Sequence, residues 1–191
     1  IGSSDAAAAV GLNPYKSQLE LWMEKTGQDE QLPKVDPQDE SSPLYWGTLL
    51  EPIVAAHYTR RTGNKVRRVN AVLQHPSEPW MLANLDREVM GTPEVQILEC
   101  KTAGINGARL WKDGVPEYVQ LQVMHQLAVT GSQAADVAVL IGGQDLQVHR
   151  IRLVTAFEGP VLAPVIATQI QQVLLNLIVN AQQALTTHAG P

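Results

Sequence analysis

Cysteine and phenylalanine occur once each in this sequence, aromatic residues make up only 5%, and charged residues 17%. Cys100 has no second thiol to pair with, so no internal disulfide holds the fold and nothing requires an oxidising compartment. No apolar run reaches the roughly 20 residues of a membrane-spanning helix, and the first residues lack the basic-then-apolar order of a signal peptide. The expectation is a soluble, cytoplasmic protein without a membrane partner. The chain starts at Ile1 rather than methionine, so its natural start is expected upstream. Positive charge is scarce too: 14 Lys and Arg stand against 19 Asp and Glu, a net charge of -5. That balance excludes a protein that coats nucleic acid by charge alone, so any DNA contact must be local. The candidates for local positive charge are Arg60, Arg61, Lys65, Arg67 and Arg68, then Arg109 and Lys112; the alternative for each is a solvated face.

What is present is apolar side chain, 45% of 191 residues, enough for one well-buried core and short for two. Ser3 or Ser4 is placed to cap a short alanine-rich helix ending at Gly11, and Ser17 a second, Gln18 to Thr26, stopped by Gly27. Gln28 to Pro43 is acidic and broken by Pro33, Pro37 and Pro43, which reads as a surface loop. Tyr45 to Thr62 carries apolar residues at helical spacing. The period then falls to two: Lys65 to Leu73, Met81 to Leu85, Arg87 to Met90 and Val95 to Lys101 read as strands, with a turn at Gly91-Thr92-Pro93. Glu117 to Thr130 reads as a helix, Ala134 to Ile141 and Leu146 to Val154 as a hairpin, and Pro160 to about Thr187 as one long helix. The order predicts an α/β domain with a central mixed β-sheet flanked by helices.

The informative stretch is Asp86 followed, after twelve intervening residues, by Glu99-Cys100-Lys101. Side chains alternate along a strand, so Glu99 and Lys101 share one face about 7 Å apart while Leu98 and Cys100 take the other. If the strand of Asp86 folds back on this one through the Gly91-Thr92-Pro93 turn, both carboxylates converge on a hard divalent cation with the ammonium beside them. Phosphodiester hydrolysis needs these parts: oxygen ligands for Mg²⁺ or Mn²⁺, a water activated by the cation, and a lysine that orients it. The alternative is an exposed, charged strand end.

Three further features point the same way. Glu51 lies inside an otherwise apolar helix, where a carboxylate is costly unless a metal or a cation compensates it, so it is a candidate third ligand. Gln122, His125 and Gln126 share one face of their helix by i, i+3, i+4 spacing, and a glutamine there can hold a water or a phosphate oxygen. Gly2-Ser3-Ser4-Asp5 at a helix start offers hydroxyls and free N–H groups to an anion such as a terminal phosphate, although on these residues alone ordinary capping is the favoured reading.

Gly2-Ser3-Ser4-Asp5, Gly11-Leu12-Asn13-Pro14-Tyr15, Leu19 to Trp22 with Glu24 to Gly27, Trp46-Gly47 to Glu51-Pro52, Asp86, Glu99 to Thr102 and Gln122 to Gly131 follow in order over residues 1–154. This succession resembles the YqaJ-type, lambda-exonuclease-like family of PD-(D/E)xK nucleases. The resemblance implies a restriction-endonuclease-like core and a Mg²⁺-dependent (or Mn²⁺-dependent) exonuclease that hydrolyses one strand from a duplex DNA end, 5′ to 3′, in phage-type recombination. It further implies a homo-oligomer and a single-strand annealing protein as partner, in a bacterial or phage-infected cell. By the same resemblance Asp86, Glu99, the Cys100 carbonyl and Glu51 hold the metal, Lys101 orients the water, Gln122 is the glutamine of the catalytic set, and Ser4 meets the 5′ phosphate; Arg109 and Lys112, from the charge distribution, are the expected DNA-binding cations. Asn84-Leu85 stand where the family usually carries proline before the metal-binding Asp. A structure-dependent endonuclease of the same fold, or an inactive DNA-binding or assembly subunit, are the alternatives.

The residues after 154 depart from that family. Gln169 to Leu185 resembles the N-box helix of histidine kinase ATPase domains, with Asn180 as the Mg²⁺-ATP asparagine, but no glycine-rich lid segment accompanies it. The expectation for 155–191 is a helical segment packed on the domain or on a neighbouring subunit, without ATP binding.

Overall fold

The structure is a computed structural model that describes residues 1–34 and 36–153. Its elements follow the sequence's own punctuation. Ser17 begins α2 (Gln18–Thr26), accepting the Glu20 N–H at 3.2 Å while Glu20 takes the Ser17 N–H at 2.7 Å, and Gly27 closes it at φ 71°. α3 (Pro43–Thr62) starts two residues earlier than periodicity suggests, because the Ser42 hydroxyl accepts from Leu44 N–H and Pro43 needs no partner in the first turn. The N-terminus corrects one expectation. Ser3 and Ser4 lie inside a 3-10 turn, Ser3–Asp5, leading into α1 (Ala6–Ala9), and it is Asp5 that takes the Gly2 N–H, at 2.9 Å. Lys25 of α2 pairs with Asp5 at 2.7 Å, fastening the two segments together.

Among the described residues seven strands follow: β1 (Lys65–Arg68), β2 (Leu73–Gln74), β3 (Leu82–Ala83), β4 (Arg87–Met90), β5 (Ile97–Ala103), β6 (Ala134–Ile141) and β7 (Asp145–Arg152). Five of them form a sheet in the order β1-β4-β5-β6-β7, and β2 and β3 form a separate ribbon. All neighbours run antiparallel except β5 and β6, which run parallel from Ile97↔Ala135 to Ala103↔Ile141. A parallel pair needs a crossover, and α4 (Glu117–Thr130) supplies it. The sheet is therefore mixed, as expected. The stretch Lys65 to Leu73, expected as one strand, is instead two pieces in two sheets. β4 begins at Arg87, opposite Arg68, so β1 has no partner beyond that residue. A 3-10 turn at Ala108–Trp111, between β5 and α4, has no periodic signature and was not expected.

Each face of the sheet buries its own layer. Val54, Ala55 and Tyr58 of α3 pack with Leu98 and Cys100 of β5 and Ala138 of β6. Val119, Val123 and Leu127 of α4 pack with Ile97, Ala135, Val137 and Val139, and with Ala83 of the ribbon. β5 is thus covered on both sides, and its charged residues are enclosed between sheet and helix. The helix expected from Pro160 to about Thr187, Asn180 within it, and the rest of the segment 155–191 lie outside the described residues.

Candidate active site

The β4–β5 pairing aligns Arg87 with Leu98. Continued by one residue, that register sets Asp86 opposite Glu99, on the face toward α4. Asp86 leaves the ladder here and its Oδ2 accepts the Cys100 N–H at 2.8 Å. Glu99 is 2% exposed. Its Oε1 accepts from Lys101 Nζ at 2.8 Å and from Gln122 Nε2 at 2.6 Å, and its Oε2 accepts from Gln126 Nε2 at 2.7 Å. Lys101 Nζ also donates to Gln122 Oε1 at 2.9 Å, closing a ring of three side chains.

Two carboxylates this close oppose each other. Burial first, then the charge of Glu99, pushes the Asp86 carboxyl up to about 7, against the Cys100 N–H, which favours the anion. Burial also works against the Lys101 charge, but the Glu99 carboxylate outweighs it, and the ammonium lies above the ordinary lysine range. Lys101 is therefore held as a cation.

The donors fit a hard divalent ion. A carboxylate oxygen has two lone pairs. On Glu99, Oε1 uses both and Oε2 uses one, so a single lone pair remains, on Oε2. Asp86 engages only Oδ2 among the described residues. In an extended strand one residue's N–H and C=O point to the same side, so the Cys100 carbonyl faces the edge occupied by Asp86. Two anionic oxygens and a carbonyl suit Mg²⁺ or Mn²⁺, which take one or two carboxylates and keep several waters.

Glu51, expected as a further ligand, is engaged by a cation. It forms an ion pair with Arg87, whose guanidinium also donates to the Asp86 carbonyl at 2.6 Å. It is near enough for its charge to raise the Asp86 carboxyl further. Among the described residues no three His, Cys, Asp or Glu side chains group as a metal site. Arg87, 8% exposed, escaped the sequence reading. Its signal was present: in β4 both Arg87 and Val89 are inward positions, so a buried cation next to Asp86 is the compensation that Glu51 required.

The remaining candidates surround this centre unequally. Ser4 is exposed, while its neighbour Ser3 is buried and donates to the Leu82 carbonyl at 3.5 Å. That same carbonyl meets His125 Nε2 at 3.2 Å, and Leu82 N–H donates to the Ile1 carbonyl at 2.9 Å. The N-terminal segment is so tied to β3, the strand that leads into Asp86. Arg109 and Lys112 stand exposed at the 3-10 turn between β5 and α4, with no ion pair among the described residues. The Arg60 to Arg68 group is partly spent: Arg67 pairs with Glu88, and Arg61 donates to the Leu146 carbonyl.

Comparisons with known proteins place the family and the fold. The YqaJ-like viral recombinase domain matches residues 1–133. The uncharacterized protein YqaJ of Bacillus subtilis (strain 168) is 46% identical over 146 residues, 75% of this chain and 44% of that protein. The chain thus spans less than half the length of that curated relative. An alkaline exonuclease from Laribacter hongkongensis superposes with a TM-score of 0.64 at 20% identity, over 99% of this chain and 93% of the other. Its complex with dAMP gives 0.62 at the same identity and coverage. A phage related exonuclease from Haemophilus somnus 129PT gives 0.57 at 8% identity, over 99% and 96%. The shared fold is restriction-endonuclease-like, with the central mixed sheet flanked by helices. By profile and by sequence identity, the chain belongs to the family of YqaJ-like viral recombinase domains.

Proposed function

We propose that the chain is a Mg²⁺-dependent DNA exonuclease that hydrolyses phosphodiester bonds from duplex ends, 5′ to 3′, in phage-type recombination. The observation that carries the reading is Asp86 held at the Cys100 N–H, close enough to Glu99 to feel its charge, with Lys101 Nζ 2.8 Å from Glu99 Oε1. Asp86, Glu99 Oε2 and the Cys100 carbonyl are the oxygens that would hold the ion. When bound, a divalent cation lowers the pKa of water and neutralises charge on the phosphate. Lys101, fixed by Glu99 and Gln122, keeps a free N–H to orient the attacking water. Its raised pKa makes it a donor, not the base that removes the water's proton. Gln122 holds the ammonium in line without adding charge. Ser4, Arg109 and Lys112, all exposed, would meet the phosphates of the strand end. An annealing protein and a homo-oligomeric assembly complete the proposed setting; none of the described helices is long and apolar enough to cross a membrane.

The test is degradation of linear duplexes ending in 5′-phosphate or 5′-hydroxyl, with Mg²⁺, Mn²⁺ or EDTA, beside a closed circle. The reading expects metal-dependent loss of the linear 5′-phosphate duplex and an intact circle. A cut circle would turn it to an endonuclease, and no cleavage of any substrate to an assembly subunit.

A further inference from the structure

Gln126 takes no part in the mechanism above, yet it is fully buried, and its Oε1 is the one buried side-chain polar atom without a hydrogen-bond partner among the described residues. The orientation of its amide is settled by its neighbours. Nε2 donates to Glu99 Oε2 at 2.7 Å and to the Asn84 carbonyl at 3.2 Å, so the reversed amide would set an oxygen against both acceptors. A buried amide oxygen left without a donor is costly, and helix α4 has apolar residues available for such a position. The amide is also attached to one particular atom: Oε2, the Glu99 oxygen that retains a lone pair. Gln122, one turn earlier on α4, is attached to the other oxygen and to Lys101.

Resting on the metal site proposed above, we infer that the two glutamines divide the Glu99 carboxylate between them. Gln126 is the positioning residue for the cation-facing oxygen: its N–H, itself held by the Asn84 carbonyl, fixes Glu99 Oε2. Gln122 serves Oε1 and the Lys101 ammonium. Such outer contacts orient a ligand oxygen and typically change cation affinity tenfold or more when removed. Gln126→Met keeps the volume and removes both the donor and the acceptor.

The experiment is Mn²⁺ binding by calorimetry to the DNA-free protein, with single-turnover cleavage at saturating Mn²⁺ as the second readout. Gln126→Met is expected to weaken the cation about tenfold, with most of the rate regained at saturating Mn²⁺. Gln122→Met is expected to leave the cation Kd within about twofold and to lower the rate at saturating Mn²⁺. Gln126→Asn, which retains the amide on a shorter stem, gives the same readout if the methionine variant does not fold, with an affinity between the two. A purely structural Gln126 would lower Tm and leave the cation Kd alone, and that result overturns the inference, as would equal Kd shifts in the two methionine variants. Absence of Mn²⁺ binding to the wild-type chain would overturn the metal site itself, and this inference with it. Tight Mn²⁺ binding without DNA cleavage would overturn only the nuclease reading.

Discussion

Arg87 and Glu51 show how charge is managed beside the site. Their ion pair is enclosed between α3 and β4, with side-chain exposures of 9% and 23%. Removing one partner leaves the other charge buried and alone, which typically costs 3–5 kcal/mol, whereas replacing both costs far less. Arg87→Met should therefore destabilise by about 3–5 kcal/mol in urea titration, and the Glu51→Gln/Arg87→Met double variant should recover much of that loss; a single variant as stable as wild type would show the pair to be solvated. At the site itself, Asp86→Asn and Glu99→Gln should each abolish cleavage while leaving the circular dichroism spectrum intact, because each removes a ligand charge and little packing. Lys101→Ala should lower the single-turnover rate by about 100-fold or more with little change in DNA affinity. An affinity loss at unchanged rate would make Lys101 a phosphate anchor. Much of this was legible in the sequence. Alternation alone sets Glu99 and Lys101 on one face and Leu98 and Cys100 on the other, as the two buried layers later bear out. The Arg87 partner was not legible, because an i+2 pattern tells which residues share a face and not which helix residue, 36 positions away, meets it.

Elements were readable where they are closed by local signals. Gly27, Gly63 and Gly131 all adopt positive φ and end α2, α3 and α4 at the expected residues. Pairing is not local, and there the sequence was mute: nothing in Lys65 to Leu73 announces that the pairing with β4 ends at Arg68 and that Leu73 pairs in another sheet. The polar face of α4 had two readings, solvent or site, and the sheet excludes the solvated one at Gln126 by covering it fully. A second polar network braces α3 to β6 away from the carboxylate pair. Tyr58 donates to Asp136 Oδ2 at 2.7 Å, and Arg150 of β7 grips Asp136 at 2.8 and 3.1 Å. Arg150 keeps Asp136 satisfied without the phenol, so Tyr58→Phe should cost only about 1–2 kcal/mol and leave Mn²⁺ affinity unchanged. A shift in that affinity would tie this network to the site.

The whole molecule carries the carboxylate repulsion as a dependence on pH. The Asp86 carboxyl, near 7 in the fold, lies well above the roughly 3.9 of an unfolded aspartate. The metal-free fold therefore holds a proton that the unfolded chain releases. That contribution to stability is complete below about pH 4 and is lost as pH rises through about 7. Thermal unfolding in EDTA should show Tm falling across this interval, and Asp86→Asn should flatten the slope. His125, lowered by burial, contributes an opposing slope below about pH 6.5, which the variant comparison cancels. A cation replaces the proton, so the Tm gain from Mg²⁺ should grow between pH 6 and 8; a gain independent of pH, or one retained in Asp86→Asn, would separate the ion from this carboxylate.

The central claim is that Asp86 and Glu99 hold one divalent ion, and anomalous diffraction from crystals of the chain grown with Mn²⁺ tests it most directly. The account predicts a manganese peak about 2 Å from an Asp86 carboxylate oxygen, Glu99 Oε2 and the Cys100 carbonyl. A peak elsewhere, or none at this site with Mn²⁺ present at saturating concentration, would contradict it.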